Sequence, residues 1–173
     1  IIDKCREIGI PQLTFTGGEP TMRTDLLNLI DHAQWFVTRL NTNGILLSED
    51  YCQKLKEVSL DSMQITFYSS DEKIHNTLVG ANKYSDTVEG IKNALKAGIS
   101  VSINTPLCTL NRDYVKTLEF LHSLGVLYVT CSGLITTGNA EKEKSEELQL
   151  KTDEIKDILR AAVKYCADNG MEI

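Results

Sequence analysis

Short apolar, β-branched-rich runs alternate with helical stretches along the chain, and no other feature of the sequence limits the possible folds so strongly. The runs are Gln12 to Thr16, Phe36 to Leu40, Met63 to Phe67, Ile99 to Asn104 and Leu127 to Cys131, and each precedes a segment with helical periodicity. The strand-to-strand spacing, roughly 25 to 35 residues, is the size of a βα unit. Strands joined through helices lie parallel and need cover. The expected class is therefore α/β, as a doubly wound sheet or a (β/α) barrel.

Punctuation residues support the alternation. Met22, Leu26, Leu29, Ile30 and Ala33 predict one apolar helix face with Thr24 as its N-cap. Ser48, Ser85 or Asp86, Asn111 and Thr152 are the expected caps of later helices, and Gly98, Gly125 and Gly170 the expected stops. "IIDKCREIGI" has the pattern of a helix tail closed by Gly9, and "NGMEI" that of a helix stop followed by a strand start. The expectation is one domain over residues 1–173, trimmed at both ends from something longer.

Composition narrows the function. With 42% hydrophobic and 24% charged residues the chain can bury one core. A net charge of −6 offers no basic patch for a phosphate backbone, so nucleic acid is a poor partner. No run reaches the roughly 18 to 20 apolar residues of a membrane span, and a soluble, cytoplasmic protein is expected. Cys5, Cys52, Cys108, Cys131 and Cys166 form no CxxC pair, which argues against a disulfide framework or a zinc site and for reduced thiols.

The unusual residues fall just past the strands. Gly17, Gly18, Glu19 and Pro20 follow the first; Thr42, Asn43 and Gly44 the second; Tyr68, Ser69, Ser70 and Asp71 the third; Thr105, Pro106 and Cys108 the fourth; Ser132, Gly133 and Gly138 the fifth. In parallel α/β folds such ends converge on one rim, where ligands bind. In "TFTGGEPTMRTDL", adjacent glycines let another molecule approach the backbone, and Pro20 holds Glu19 extended, which aims its carboxylate as if to receive an ammonium group. The plainer alternative is a tight βα turn with a solvated glutamate.

With "LNTNG", "QITFYSSDEKIHNTLVGANKYSDTVEGIKNALKAGI", "SINTPLCTLN" and "SGLITTGNA", in this order and spacing from Gln12 to about Ala140, the stretch resembles the radical S-adenosylmethionine (radical SAM) enzymes. The "FYSSDEKIHNTLVG" segment is most similar to members that carry a SPASM-type auxiliary cluster domain and modify peptides or other enzymes. The resemblance implies a partial (β/α)6 TIM-like barrel with S-adenosylmethionine across the strand ends. It implies that Gly17, Gly18 and Glu19, beside Pro20, hold the methionine amino group, and that Thr42 and Asn43 line the same pocket. It assigns Thr66 to the methionine carboxylate or ribose, Asn104 to the ribose, and Leu134 and Ile135 to the flanks of the adenine. Thr66 as an ordinary strand residue, Asn43-Gly44 as a plain turn, and Leu134 with Ile135 as core stay open as alternatives.

The family's cluster ligands are a CxxxCxxC triplet, and these residues hold none. Three thiolates leave one iron of a [4Fe-4S] cluster free for S-adenosylmethionine. The chain alone is therefore expected to be inactive, with the triplet upstream of Ile1, or else to be a cluster-less homologue. An exposed sheet edge is expected to favour self-association. The implied substrate is a peptide, a protein or a small molecule. A non-catalytic barrel that binds an adenosine-type ligand or a protein partner is a second reading, and a TIM-barrel enzyme for phosphorylated metabolites a third. Cys108 and Cys131 make half a cluster site at best. His75 is expected to be solvated or to anchor its loop rather than to contact substrate, His32 and His122 to be structural, and Trp35 to be core.

Overall fold

The computed structural model describes residues 1–133 and 146–173. Five strands, β1 (Gln12–Phe15), β2 (Val37–Thr42), β3 (Ser62–Thr66), β4 (Ser100–Leu107) and β5 (Tyr128–Gly133), alternate with helices. The helices are α1 (Ile2–Glu7), α2 (Leu26–His32), α3 (Glu49–Glu57), α4 (Glu72–Val79), α5 (Tyr84–Lys96), α6 (Tyr114–Ser123) and α7 (Thr152–Asn169). The strands form a parallel sheet hydrogen-bonded in the order β1-β2-β3-β4-β5. Each crossover thus advances by one strand, as in a barrel wall; a doubly wound sheet would reverse its order at a switch point. Among the described residues no helix is long and apolar enough to cross a membrane.

The described chain resolves into two compact units, Ile1–Thr66 with Ser85–Ser102, and Phe67–Tyr84 with Ile103–Ile173. In the first, β1 pairs with β2 through Phe15↔Leu40, and β2 with β3 through Leu40↔Met63 and Thr42↔Ile65. Side chains alternate across a strand, so Leu40 and Thr42 are buried with Met63 and Ile65, while Arg39 and Asn41 look to the other face half-buried. Helices α2, α3 and α5 add Leu26, Ile30, Cys52, Leu55, Val88, Ile91 and Ala94 to this core. Each large apolar side chain so buried contributes about 1.5–3 kcal/mol relative to exposure. The start of β2 is fixed by Asp61, whose Oδ2 accepts from the Thr38 amide (2.7 Å) and hydroxyl (3.1 Å).

In the second unit Phe67, Ile103, Leu107, Tyr114, Leu118, Leu121, Val126, Val129 and Ala162 are buried. The expected strand start at the C-terminus is there: Tyr128 and Glu172 form a parallel bridge, with Val129 N donating to Glu172 O and Glu172 N to Leu127 O, both at 2.8 Å.

The glycine stops hold, with positive φ at Gly9, Gly98, Gly125 and Gly170, and Ser48 caps α3 by accepting from Tyr51 N (3.2 Å). Other caps differ for identifiable reasons. Asp25, not Thr24, precedes α2, and its carboxylate is taken by Arg23 (2.8 and 2.9 Å). Ser85 and Asp86 lie inside α5, because Asn76 Oδ1 already accepts from the amides of Lys83 and Tyr84 (2.8 and 2.9 Å). Asn111 braces a loop instead of capping α6: its Oδ1 accepts from Cys108 N and its amide donates to the carbonyls of Tyr68 and Pro106. Thr152 is the first residue of α7 and Lys151 the cap position, its amide met by Glu154 (2.8 Å). Met22 sits exposed in a 3-10 turn ahead of α2, outside the apolar face. Trp35 is 49% exposed, edge-on to Phe36, which takes the core position in its place.

Candidate ligand site at the ends of β1 and β2

β1 ends at Phe15, in register with Leu40, and the glycine bend begins two residues later, while β2 runs on to Thr42. Gly17 has φ 152°, and a Cβ added at Gly17 or Gly18 would meet nothing within 4 Å, so open space lies against both backbones. Glu19 is extended (φ −147°, ψ 106°) ahead of Pro20, as the proline requires, and Pro20 is buried as the first residue of the 3-10 turn Pro20–Met22.

The Glu19 carboxylate is the hub of this rim. Its Oε1 accepts from Thr21 N (3.1 Å), Thr21 Oγ1 (2.5 Å) and Thr42 Oγ1 (2.6 Å), and its Oε2 from Asn43 N (2.8 Å). The Thr42 hydroxyl in turn accepts from Gly44 N (3.1 Å), and Asn43 Oδ1 accepts from Ile45 N (2.9 Å). Glu19 is thus no idle solvated side chain: it ties the end of β1 to the end of β2. Oε2 keeps acceptor capacity beyond the Asn43 bond, and with the open backbone of Gly17 and Gly18 this suits an ammonium group.

Helix α5 holds the Asn43-Gly44 loop from behind. Thr87 Oγ1 donates to Asn43 O (3.3 Å) and Asn93 Nδ2 to Leu47 O (2.9 Å). Gly90 lets the helix come so close that a Cβ there would overlap the Gly44 carbonyl oxygen. Gly44 itself has φ 78°, and its own Cβ would lie 2.9 Å from Ile65 Cγ2. Tyr51 on α3 completes the neighbourhood: burial, and then the charge of Glu19, push its phenol above the ordinary value. Thr21, Tyr51, Thr87 and Gly90 were not legible as rim residues. Only a glycine in the middle of an apolar-faced helix hinted at Gly90.

The remaining sequence candidates fall as follows. Thr66 ends β3 in the same unit, half-buried on the face shared with Ser62 and Gln64. Asn104 lies on β4 in the second unit, where its Oδ1 accepts from Thr130 Oγ1 (3.1 Å). Leu134 and Ile135, with Gly138, lie outside the described residues. His75 is 1% exposed, so solvation does not describe it: its Nδ1 accepts from Tyr68 N (3.3 Å), its ring packs on Phe67, and burial pushes its pKa down to about 4. It anchors its loop as a neutral imidazole. Among the described residues no three His, Cys, Asp or Glu groups gather as metal ligands, so the donors present do not fit a [4Fe-4S] cluster.

The model of the Radical SAM superfamily matches residues 1–121. A probable GTP 3',8-cyclase of Sulfurisphaera tokodaii is 40% identical over 96 residues, 54% of this chain and 30% of that protein. Another, of Methanopyrus kandleri, is 35% identical over 125 residues, 70% of this chain and 39% of that one. In fold the chain is similar to Streptococcus suis SuiB, whose crystal structures include forms bound to S-adenosylmethionine and to the precursor peptide SuiA: TM-score 0.82 at 15% identity, covering 98% of this chain and 40% of SuiB. The chain therefore spans well under half the length of each of these relatives. A family model that covers most of the chain, over a parallel sheet wound strand by strand with a glycine-rich rim, leads to one assignment: the chain belongs to the radical SAM superfamily.

Proposed function

We propose that this chain is the part of a radical SAM enzyme that binds the methionine end of S-adenosylmethionine. The observation that carries the reading is the Glu19 hub, with the open Gly17 and Gly18 backbone beside it. A [4Fe-4S] cluster, whose ligands these residues do not supply, would in the full-length protein provide the electron for radical chemistry with S-adenosylmethionine. This chain's own residues bind and orient. The carbonyls of Gly17 and Gly18 and the Glu19 carboxylate receive the methionine ammonium. Thr42 and Asn43 hold that carboxylate in place, and Thr66 offers a hydroxyl to the methionine carboxylate or ribose. Asn104 as a ribose contact, and Leu134 and Ile135 beside the adenine, rest on the resemblance.

For the substrate, the 35–40% identity to probable GTP 3',8-cyclases favours a small nucleotide, while modification of a peptide rests on likeness of fold to SuiB. The test is the full-length protein, with iron and sulfide reconstituted anaerobically and offered GTP or peptides. Formation of 5'-deoxyadenosine is the expected result. A cluster-loaded preparation that binds S-adenosylmethionine and yields none defeats the enzymatic reading.

A further inference from the structure

Arg39 is the odd residue of the first unit's sheet. It lies in the middle of β2, on the face opposite the core, in register with Thr14 on β1 and Ser62 on β3. A guanidinium carries five N–H donors in a planar fork and one fixed charge. Among the described residues one of them is used: Nη2 donates to Ser102 Oγ (2.9 Å). Its Nε is buried without a partner, and among the described residues no carboxylate pairs with it. Two positions further along the same face, the side-chain oxygen of Asn41 is also buried and unpartnered. Leaving a polar group dry and unpaired is costly, and more so where the group is charged. Two such atoms stand on neighbouring same-face positions of one strand.

We propose that Arg39 is a binding residue for an oxyanion, the carboxylate or phosphate of the substrate, with Asn41 accepting from a hydroxyl or amine hydrogen of the same molecule. The fork formed by Nε and the adjacent Nη matches two oxygens of such a group, which a lysine in its place would not. Ser102 holds the guanidinium in place: its hydroxyl receives Nη2 (2.9 Å) and donates to Met63 O (3.4 Å). The hydroxyl of Thr14, across from Arg39, supplies a further donor to the anion. Successive same-face residues on a strand are about 7 Å apart, so the ligand carries its donor roughly that far from its anionic group. The assignment rests on the reading above only in taking the bound molecule to be the substrate. Charge and donor pattern stand on the sheet itself.

The test follows the arginine Nε–H resonances of the full-length protein during titration with inorganic phosphate and, separately, acetate, with S-adenosylmethionine binding measured on the same samples. A saturable shift of the Arg39 signal is expected in the wild type; anion affinity measured by calorimetry should fall about tenfold in Arg39→Lys, the scale of one lost charge-assisted pair, and be lost in Arg39→Gln. Tighter phosphate binding identifies a phosphorylated substrate, and tighter acetate binding a carboxylate. Ser102→Ala, which leaves the charge in place, should weaken the anion several-fold without moving S-adenosylmethionine affinity. A wild-type Arg39 signal that ignores both anions overturns the proposal even if Arg39→Gln fails to fold. S-adenosylmethionine binding without an anion response sinks this inference alone. An anion response without S-adenosylmethionine binding sinks the earlier reading and leaves this one standing.

Discussion

The Glu19 carboxylate ties the ends of β1 and β2 together and, in the function proposed, also receives the methionine ammonium, so one substitution tests both. Glu19→Gln keeps the shape but turns an acceptor into an NH2 group facing the donors of Thr21, Thr42 or Asn43. The expected result is a stability loss of about 1–3 kcal/mol in urea unfolding and at least about tenfold weaker S-adenosylmethionine binding. Thr42→Val removes one hydroxyl from the hub and should show the smaller share of both effects. His75 makes a pH prediction. Its folded pKa of about 4 lies below the ordinary 6.5, so between those values the unfolded chain binds the proton and the folded one does not. Stability from this group is therefore complete above pH 6.5 and falls as pH drops toward 4, by on the order of 3 kcal/mol. Unfolding midpoints of the wild type and His75→Phe from pH 7 to 4.5 should converge. Parallel curves would show that the imidazole is not the titrating group.

At the scale of elements, α5 determines where the β2 rim loop sits. Gly90→Ala places a methyl into the Gly44 carbonyl, which must move, and overpacking of this kind costs about 1–3 kcal/mol. Amide exchange of Asn43 to Leu47 should speed up in the variant while that of β3 stays slow; uniform acceleration would instead mean global destabilisation. The helices also show why caps are harder to locate than stops. A stop needs a residue that tolerates positive φ, and glycine does so most readily, as at Gly98, Gly125 and Gly170, although Ser59 takes φ 66° after α3. A cap needs only some acceptor near the first turn, and a distant one serves: Asn76, from α4, receives the Lys83 and Tyr84 amides at the start of α5. Local sequence does not announce such a substitute.

For the molecule as a whole, β1 ends the strand order, and Ile8, Ile10, Trp35 and Val37 are exposed apolar residues around it. An edge strand flanked by apolar surface is a template for pairing. Light scattering of this chain should show mass rising with concentration, and Val37→Lys should return it to the monomer; a wild-type monomer at every concentration would dismiss the edge as an interface. What the sequence by itself determined was the alternation of strand and helix, the glycine stops and the placing of GGEP and NTNG just past strands, because periodicity and backbone conformation are local properties. The tertiary structure alone decided that Glu19 is shared between Thr21, Thr42 and Asn43, that Gly90 meets Gly44, and that Arg39 keeps a buried Nε without a partner. The reason is physical: a side chain's partners depend on strand register and on how closely segments far apart in sequence approach, and no local pattern of residues encodes either.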